Sequence, residues 1–88
     1  MTTMKSYSAG EVIFRQGDAG DSAYLVQDGS VRIELDDGGQ AIHLATRQSG
    51  ELFGEMAIID DQPRSASAIA AEDCTLLPLT QEQLQYRM

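Results

Sequence analysis

The chain has 88 residues, of which 42% are hydrophobic, and fourteen acidic side chains against six Lys and Arg give it a formal net charge of −8. This length holds one domain, residues 1–88, with a modest core and no room for a second. The negative charge repels phosphate backbones and acidic membrane surfaces, so we expect no direct contact with nucleic acid or membrane. Because the chain has neither an apolar run of membrane-spanning length nor a signal-peptide pattern, we expect a cytoplasmic protein.

Glycine residues divide the first two thirds of the chain into short pieces, a pattern that favours strands over helices. Four segments of strand length are rich in β-branched, aromatic or alternating apolar residues: 12–15, 23–27, 31–35 and 41–45. Asp28-Gly29 and the Asp-Asp-Gly-Gly loop at 36–39 suit hairpin turns, so adjacent antiparallel strands are predicted around each. Many short strands at this spacing predict a closed barrel or a jelly roll.

The strand-like pattern changes after Phe53. Segment 55–59 lacks glycine and proline and predicts a short helical turn, which ends before Pro63. Because the residue before a proline avoids helical angles, Arg64 is expected on an ordered, non-helical stretch.

Two further strands and a helix are predicted near the end of the chain. The strands cover 66–70 and 75–79, and Cys74 beside the second is expected to be a buried, reduced thiol. Thr80, followed three residues later by Gln83, forms a capping box and predicts a short helix that runs to Met88.

Arg64 differs from the other basic residues in its setting. Those residues lie among polar or alternating neighbours and are expected to face solvent: Lys5, Arg15, Arg32, Arg47 and Arg87. Arg64 instead lies in a patterned segment, between a proline and a run of small residues. In so acidic a chain, a small anionic ligand has to be held by a local arrangement that overcomes the long-range repulsion.

Two short pieces of sequence, Gly54-Glu55 and Arg64-Ser65, together have the chemistry of a phosphate and sugar site. Gly54 lets a ligand approach the backbone, and the first amides of the following turn point outward unpaired. Arg64 carries a permanent charge on a fork that matches two phosphate oxygens, and Ser65 and the amide of Ala66 supply further donors. Glu55 repels phosphate, so its partner is a sugar hydroxyl or Arg64 itself.

The segment 53–68, FGEMAIIDDQPRSASA, resembles the phosphate-binding cassette of the cyclic nucleotide-binding domain family. Segments 10–18 and 23–31 resemble the family's early strands and structural glycines. The resemblance implies a mainly β fold, an eight-stranded antiparallel jelly-roll β-barrel with a short helical turn in the cassette and a short C-terminal helix. It also implies a regulatory domain and not an enzyme.

Carried over residue by residue, the resemblance assigns Glu55 to the ribose 2′-hydroxyl, and Arg64 and Ser65 to the cyclic phosphate. Backbone amides at the start of the turn and after the arginine would assist: Gly54, Met56, Ala57 and Ala66. Three apolar side chains fall where the family lines the sugar and base pocket, although each also suits an ordinary core position: Phe14, Ile33 and Leu44. No metal site and no further cofactor is implied.

The implied ligand is a cyclic nucleotide. In the family, threonine after the arginine often accompanies cyclic GMP (cGMP) and alanine cyclic AMP (cAMP); Ser65 is neither, and we favour cAMP. The implied partners are an effector domain or protein outside this chain and a second copy of it in a homodimer. The family closes the base side of the pocket with a C-terminal lid helix, and we expect this helix to be missing from residues 1–88.

Two other interpretations stay open from the residues alone. Glu55 and Arg64 can form a surface ion pair, and the domain can be a ligand-free barrel that serves as an interaction or assembly module. An enzyme is not expected, because one histidine, His43, cannot supply the ligands of a metal-dependent barrel. Asp60-Asp61 lack convergent geometry for proton transfer, and no nucleophile has a distinctive base beside it.

Overall fold

The computed structural model describes residues 3–87, with the side chains of 3–84. In that range the chain forms eight strands and two short helices. The strands are β1 (Lys5–Tyr7), β2 (Val12–Phe14), β3 (Ala23–Asp28), β4 (Ser30–Asp37), β5 (Gln40–Gln48), β6 (Leu52–Phe53), β7 (Ser67–Ala70) and β8 (Cys74–Leu79). The helices are α1 (Glu55–Ile59), between β6 and β7, and α2 (Gln81–Arg87), after β8.

The strands pair antiparallel in two four-stranded sheets. The first sheet has the order β1-β8-β3-β6, and the second has the order β2-β7-β4-β5. The chain thus passes repeatedly between two sheets, which confirms the predicted mainly β, eight-stranded jelly roll. Among the described residues no ladder joins the two sheets into a closed barrel.

Three aromatic rings from both sheets form part of the core. Phe14 of β2, Tyr24 of β3 and Phe53 of β6 lie with ring centroids 5.4–6.1 Å apart, a favourable range for aromatic pairs. Fully buried aliphatic side chains continue the core: Val26, Val31 and Leu76. The ring of Phe14 is the part of this core that contacts Arg64.

One of the two predicted hairpins is confirmed and the other is wrong. Strands β4 and β5 pair as far as Asp37 and Gln40, and Gly38 and Gly39 form the turn with φ of +65° and +89°. Gly29 also has a positive φ, +85°, but the strands on either side of it belong to different sheets. Strand β3 is paired by β6 on one edge and by β8 on the other, so it has no free edge for β4.

Strand β5 contains a β-bulge. Ile33 pairs with Ala45, but the next residue, Glu34, pairs with His43, which leaves Leu44 as an extra residue without a partner. Because side chains alternate between the two faces of a strand, one inserted residue shifts the alternation of everything after it. Odd-numbered positions after the bulge therefore share the face that Ile33 presents.

Helix α1 occupies the segment where the helical turn was predicted. The chain leaves β6 through Gly54, whose φ of +79° turns it directly into the helix. Ala57 and Ile58 are buried, and Ala57 O accepts a hydrogen bond from Gln62 N at 3.2 Å just after the helix ends. The short helix thus begins at a sharp turn and is followed by a backbone hydrogen bond that holds the chain after it.

Helix α2 begins with the predicted capping box. Gln83 N donates to Thr80 Oγ1 at 3.2 Å, and Thr80 N donates to Gln83 Oε1 at 2.9 Å. The helix extends to Arg87, and the predicted end at Met88 lies outside the described residues.

Candidate functional site

Two backbone hydrogen bonds hold Arg64 against the loop that follows β2. Arg64 N donates to Asp18 O at 2.8 Å, and Gly17 N donates to Arg64 O at 2.8 Å. Arg64 lies outside any helix, as predicted from Pro63 before it. Its side chain therefore leaves a fixed backbone.

The guanidinium of Arg64 is buried, with the residue only 5% exposed. Nη1 donates to Gly54 O at 2.8 Å, and Nη2 donates to Ser22 O at 2.6 Å. The ring of Phe14 lies 4.0 Å from Cζ, within the range of a cation–π contact. Nε, in contrast, has no hydrogen-bond partner among the described residues. Three separate segments are thus joined at one cation that keeps a free donor.

Burial lowers the pKa of Arg64 from its usual value. The phenol of Tyr24 and the carboxylates of Asp21 and Asp18 act in the opposite direction. None of these carboxylates forms an ion pair with Arg64 in the described part of the chain, where the recorded pair joins Arg32 and Glu34. Since an arginine stays protonated in proteins, the site contains a permanent, desolvated cation.

Arg64 and Glu55 line the same cavity, which is open to solvent and has a volume of about 110 Å³. The predicted site residues that line it are Phe14, Ile33, Gly54, Glu55, Met56, Ala57, Arg64, Ser65 and Ala66. Glu55 is partly buried. The sequence left open an ion pair between Glu55 and Arg64, and this pair does not form within residues 3–84.

The structure does not place Leu44 at the cavity, contrary to the sequence prediction. Leu44 is 54% exposed and is not among the lining residues. The family resemblance implied a pocket position for Leu44, but Leu44 is the unpaired residue of the β5 bulge. A bulged residue is turned away from the side that regular alternation would give it.

Arg47 lines the cavity, although the sequence predicted that it faces solvent. It pairs with Val31, which is fully buried, and cross-strand partners project from the same face of a sheet. Its Nε is buried and has no hydrogen-bond partner among the described residues. The inward position of Arg47 follows from the bulge at Leu44. The local sequence does not reveal this bulge, so sequence analysis had no signal for Arg47.

The remaining candidate chemistry of the chain lies apart from this cavity. His43 is exposed, and its Nε2 lies 2.9 Å from Thr46 Oγ1 in a hydrogen bond. In the part of the chain that the structure describes, no three His, Cys, Asp or Glu side chains cluster so that they could hold a metal ion. No described helix combines the length and the apolar character needed to cross a membrane.

The site and the fold define a cyclic nucleotide-binding domain. The family model described as "Cyclic nucleotide-binding domain" matches residues 4–88, and the chain belongs to that family. Domains of this family are regulatory rather than catalytic.

Relatives with curated names include regulators from bacteria and animals. The chain is 51% identical over 77 residues to the cyclic AMP receptor protein of Thermus thermophilus, a match that covers 86% of the chain and 36% of that protein. It is 38% identical over 66 residues to the cAMP-dependent protein kinase type II regulatory subunit of Drosophila melanogaster, covering 75% and 18% respectively. The chain therefore spans about a third of the first relative and a fifth of the second.

Solved structures with the same fold include proteins bound to nucleotide. The cAMP-bound form of the EAL enzyme Bd1971 matches with a TM-score of 0.90 and 42% identity, over 97% of this chain and 23% of that one. The catabolite activator protein of Thermus thermophilus matches with a TM-score of 0.88 and 45% identity, over 97% and 40%.

Proposed function

We propose that this chain is the ligand-sensing part of a regulatory protein, which binds a cyclic nucleotide, cAMP in preference to cGMP, in the cavity lined by Arg64 and Glu55. Catalysis is not part of this role. The observation that supports the proposal most is Arg64, a buried cation with no carboxylate paired to it in the described residues, at an open cavity. Burying a charge is costly unless an anion accompanies it.

Arg64 and Ser65 bind the cyclic phosphate in this proposal. The two Nη atoms of Arg64 are already held by the carbonyls of Gly54 and Ser22, and Nε remains as the donor without a partner among the described residues. A charge-assisted hydrogen bond from a guanidinium to a phosphate oxygen is about twice as strong as a neutral one. Ser65 is exposed and lines the same cavity, so its hydroxyl is available to a second phosphate oxygen.

Glu55 binds the ribose. An ionised carboxylate only accepts hydrogen bonds, so it attracts the sugar hydroxyl and repels the phosphate. Its side chain is partly buried at the cavity and makes no hydrogen bond within the described residues that would have to be broken. In this proposal, the opposite charges of Arg64 and Glu55 determine which end of the nucleotide lies at each of them.

The preference for cAMP is supported by the relatives. The 51% identical protein is a cyclic AMP receptor protein, and the kinase regulatory subunit is cAMP-dependent. The similar Bd1971 structures include a cAMP-bound form and a cGMP-bound form. Preference in this chain therefore has to be measured with both nucleotides.

Helix α1 carries the signal to the output in this proposal. The hydrogen bond from Arg64 Nη1 to Gly54 O joins the phosphate-binding cation to the residue that starts α1. A ligand that moves this guanidinium shifts α1, whose outer side chains Met56 and Ile59 are about half exposed. The surface offered to an effector outside this chain then changes. A cytoplasmic location and a homodimer belong to the same proposal.

Replacing Arg64 by lysine is expected to weaken cAMP binding strongly. Arg64→Lys keeps the charge but loses the planar fork and the Nε donor. Removing a buried, charge-assisted partner costs about 2 to 5 kcal/mol, roughly 30-fold to several thousand-fold in affinity. Isothermal titration calorimetry of the full-length protein with cAMP measures the loss. The exposed Arg15→Lys is the matched control and is expected to stay within about twofold.

The wild-type titration decides the proposal itself. If neither cAMP nor cGMP gives heat or raises the melting temperature at millimolar concentration, the sensing function is wrong. If, in addition, Arg64→Lys folds and self-associates like the wild type and neither protein responds to nucleotide, the result indicates that the domain is a ligand-free interaction module.

Replacing Glu55 by alanine is expected to affect cAMP more than 2′-deoxy-cAMP. The 2′-hydroxyl is the donor that Glu55 accepts, and a hydrogen bond to a charged group contributes about 1.5 to 3 kcal/mol. The loss for cAMP is therefore about tenfold or more, and the loss for the deoxy analogue is small. Asp60→Ala, at the other end of α1 and exposed, is the control. Equal losses for the two nucleotides contradict the assignment of Glu55 to the hydroxyl.

A further inference from the structure

Two buried side-chain polar atoms in the described residues lack a hydrogen-bond partner, and both are guanidinium Nε atoms. One belongs to Arg64 and the other to Arg47, and the two arginines line the same cavity. Buried polar atoms are nearly always paired in proteins, so each exception needs a physical explanation. The proposed phosphate contact explains Arg64. Arg47 has no such explanation.

The register of the second sheet directs Arg47 into the cavity. Arg47 pairs with the fully buried Val31, and Ala45 pairs with Ile33, which lines the cavity. After the bulge at Leu44, positions 45 and 47 therefore lie on the inward face. The inward direction of Arg47 is a property of the sheet, not of one flexible rotamer.

Arg47 approaches the cavity from a wall distant from the cassette. Val31, the partner of Arg47, pairs on its other side with Ala70 of β7, whereas the cassette residue Ala66 lies just before β7 begins. Four residues of strand separate Ala66 from Ala70, about 13 Å. Strand β5 also lies two strands away from β7, about 10 Å across the sheet. The backbone of Arg47 is thus remote from the phosphate position proposed beside Ser65 and Ala66.

The cavity has an excess of positive charge. Its charged lining residues are Arg47, Glu55 and Arg64, in a chain whose net charge is −8. No ion pair of Arg47 is recorded within the described residues. An inward cation without a counter-ion, far from the phosphate, is suited to electronegative atoms elsewhere on the ligand.

We infer that Arg47 contacts the purine base of the bound nucleotide and shifts base preference toward guanine. This inference rests on the proposed function, in which Arg64 binds the phosphate and Glu55 binds the ribose. The base then lies against the part of the cavity formed by Ile33 and Arg47. Guanine presents two adjacent acceptors, O6 and N7, which match a guanidinium fork. Adenine presents N7 beside the N6 donor, which repels a second guanidinium donor. Arg47 therefore narrows the margin by which the pocket prefers cAMP.

The test is the effect of Arg47→Met on the two nucleotides. Methionine keeps an unbranched chain and removes the donors. We expect the affinity for cGMP to fall about 10- to 100-fold and the affinity for cAMP to fall by about threefold. Arg32→Met is the matched control. It changes the net charge by the same amount as Arg47→Met, but Arg32 follows Val31 on β4 and its side chain is exposed on the outward face. It is expected to change neither affinity by more than about twofold.

Each result has one meaning. If wild type binds neither nucleotide, the proposed function fails first. If wild type binds and Arg47→Met weakens both nucleotides equally, Arg47 acts through the shared sugar or phosphate and the inference is overturned. Unchanged binding of both overturns it as well.

A second measurement does not depend on the variant. Wild type is expected to bind 7-deaza-cGMP about tenfold more weakly than cGMP, because the N7 acceptor is gone. Equal binding of the two contradicts the base contact even if Arg47→Met does not fold. For a folded variant, the ligand-free melting temperature is expected to stay the same or rise, since an unpaired buried cation has been removed.

Discussion

Two glycines leave the space that the guanidinium of Arg64 occupies. A Cβ at Gly20 would lie 2.8 Å from Arg64 Nε and 2.9 Å from Cζ, and a Cβ at Gly54 would lie 2.8 Å from Nη1. A real Cβ essentially never lies this close to another heavy atom, so a neighbour would have to move. Gly54 also needs its φ of +79°, whereas Gly20 is outside the positive-φ glycines. At Gly20 the missing side chain alone makes the site possible.

Replacing Gly20 by alanine is expected to displace Arg64. The new methyl group also meets the Cβ of Ala57 in α1. Overpacking of this kind costs about 1 to 3 kcal/mol in stability. The affinity for cAMP is expected to fall with it, because Nε no longer points to the proposed phosphate position. Urea unfolding and isothermal titration measure the two losses.

A double variant separates this effect from general damage to the loop. In an Arg64→Lys background the loss of affinity caused by Gly20→Ala is expected to shrink, because the guanidinium that the methyl group displaces is absent. Ala19→Ser, exposed in the same loop, is the control. Fully additive losses would show that Gly20 does not act through Arg64.

That Glu55 and Arg64 lie together at one cavity could be predicted because they are close in sequence. Glu55 and Arg64 belong to one cassette, whose glycine before the acid and proline before the arginine are visible in the residues themselves. Arg47 could not be found this way. Its side chain faces inward because of pairing across the sheet, and the sequence around it resembles a solvent-facing strand end.

At the level of elements, every strand of four or more residues was predicted from the residues, whereas two of the three shorter strands were not. Strands β1 and β6 have three and two residues, too few for any alternation, and the residues alone did not indicate them. They form because partners in the first sheet offer free edges: β8 for β1 and β3 for β6. The count of eight came from the family resemblance.

The pairing of elements was less predictable than their positions. Asp28-Gly29 has the conformation of a turn, yet it joins strands of different sheets, whereas Gly38-Gly39 joins partners. Local sequence determines that the chain reverses at such a site. Which edge is free to receive the next strand depends on β8, which comes some forty residues later in the chain.

At the scale of the whole molecule, burial raises the pKa of three neutral acids in the core. Tyr7, Tyr24 and Cys74 all have a raised pKa, and desolvation is the largest cause for each. For Cys74, the carboxylates of Asp73 and Glu72 add to it. As predicted, the thiol is buried and free, and it keeps its proton in the folded state to a higher pH than in the unfolded state.

The folded protein is therefore expected to lose stability as the solution becomes alkaline. Above the usual thiol pKa of about 8.5, the unfolded chain releases the Cys74 proton while the native chain retains it. The native state thus binds more protons, so the free energy of unfolding falls as the pH rises. Midpoints of urea unfolding under reducing conditions measure this slope between about pH 8 and 9.5, a range below the usual tyrosine pKa of about 10. Cys74→Ala is expected to flatten it, and an unchanged slope assigns the effect to other groups.

The pairing of β1 with β8 has a consequence for synthesis of the protein. Lys5 lies opposite Leu76, so the first strand of the domain waits for a partner that is made after most of the domain has been synthesised. Until β8 has emerged from the ribosome, β1 is an unpaired segment and β3 presents an open edge. Joining such distant segments is slow compared with forming local contacts. The order β1-β8-β3-β6 of the first sheet can therefore be completed only after β8 has been synthesised.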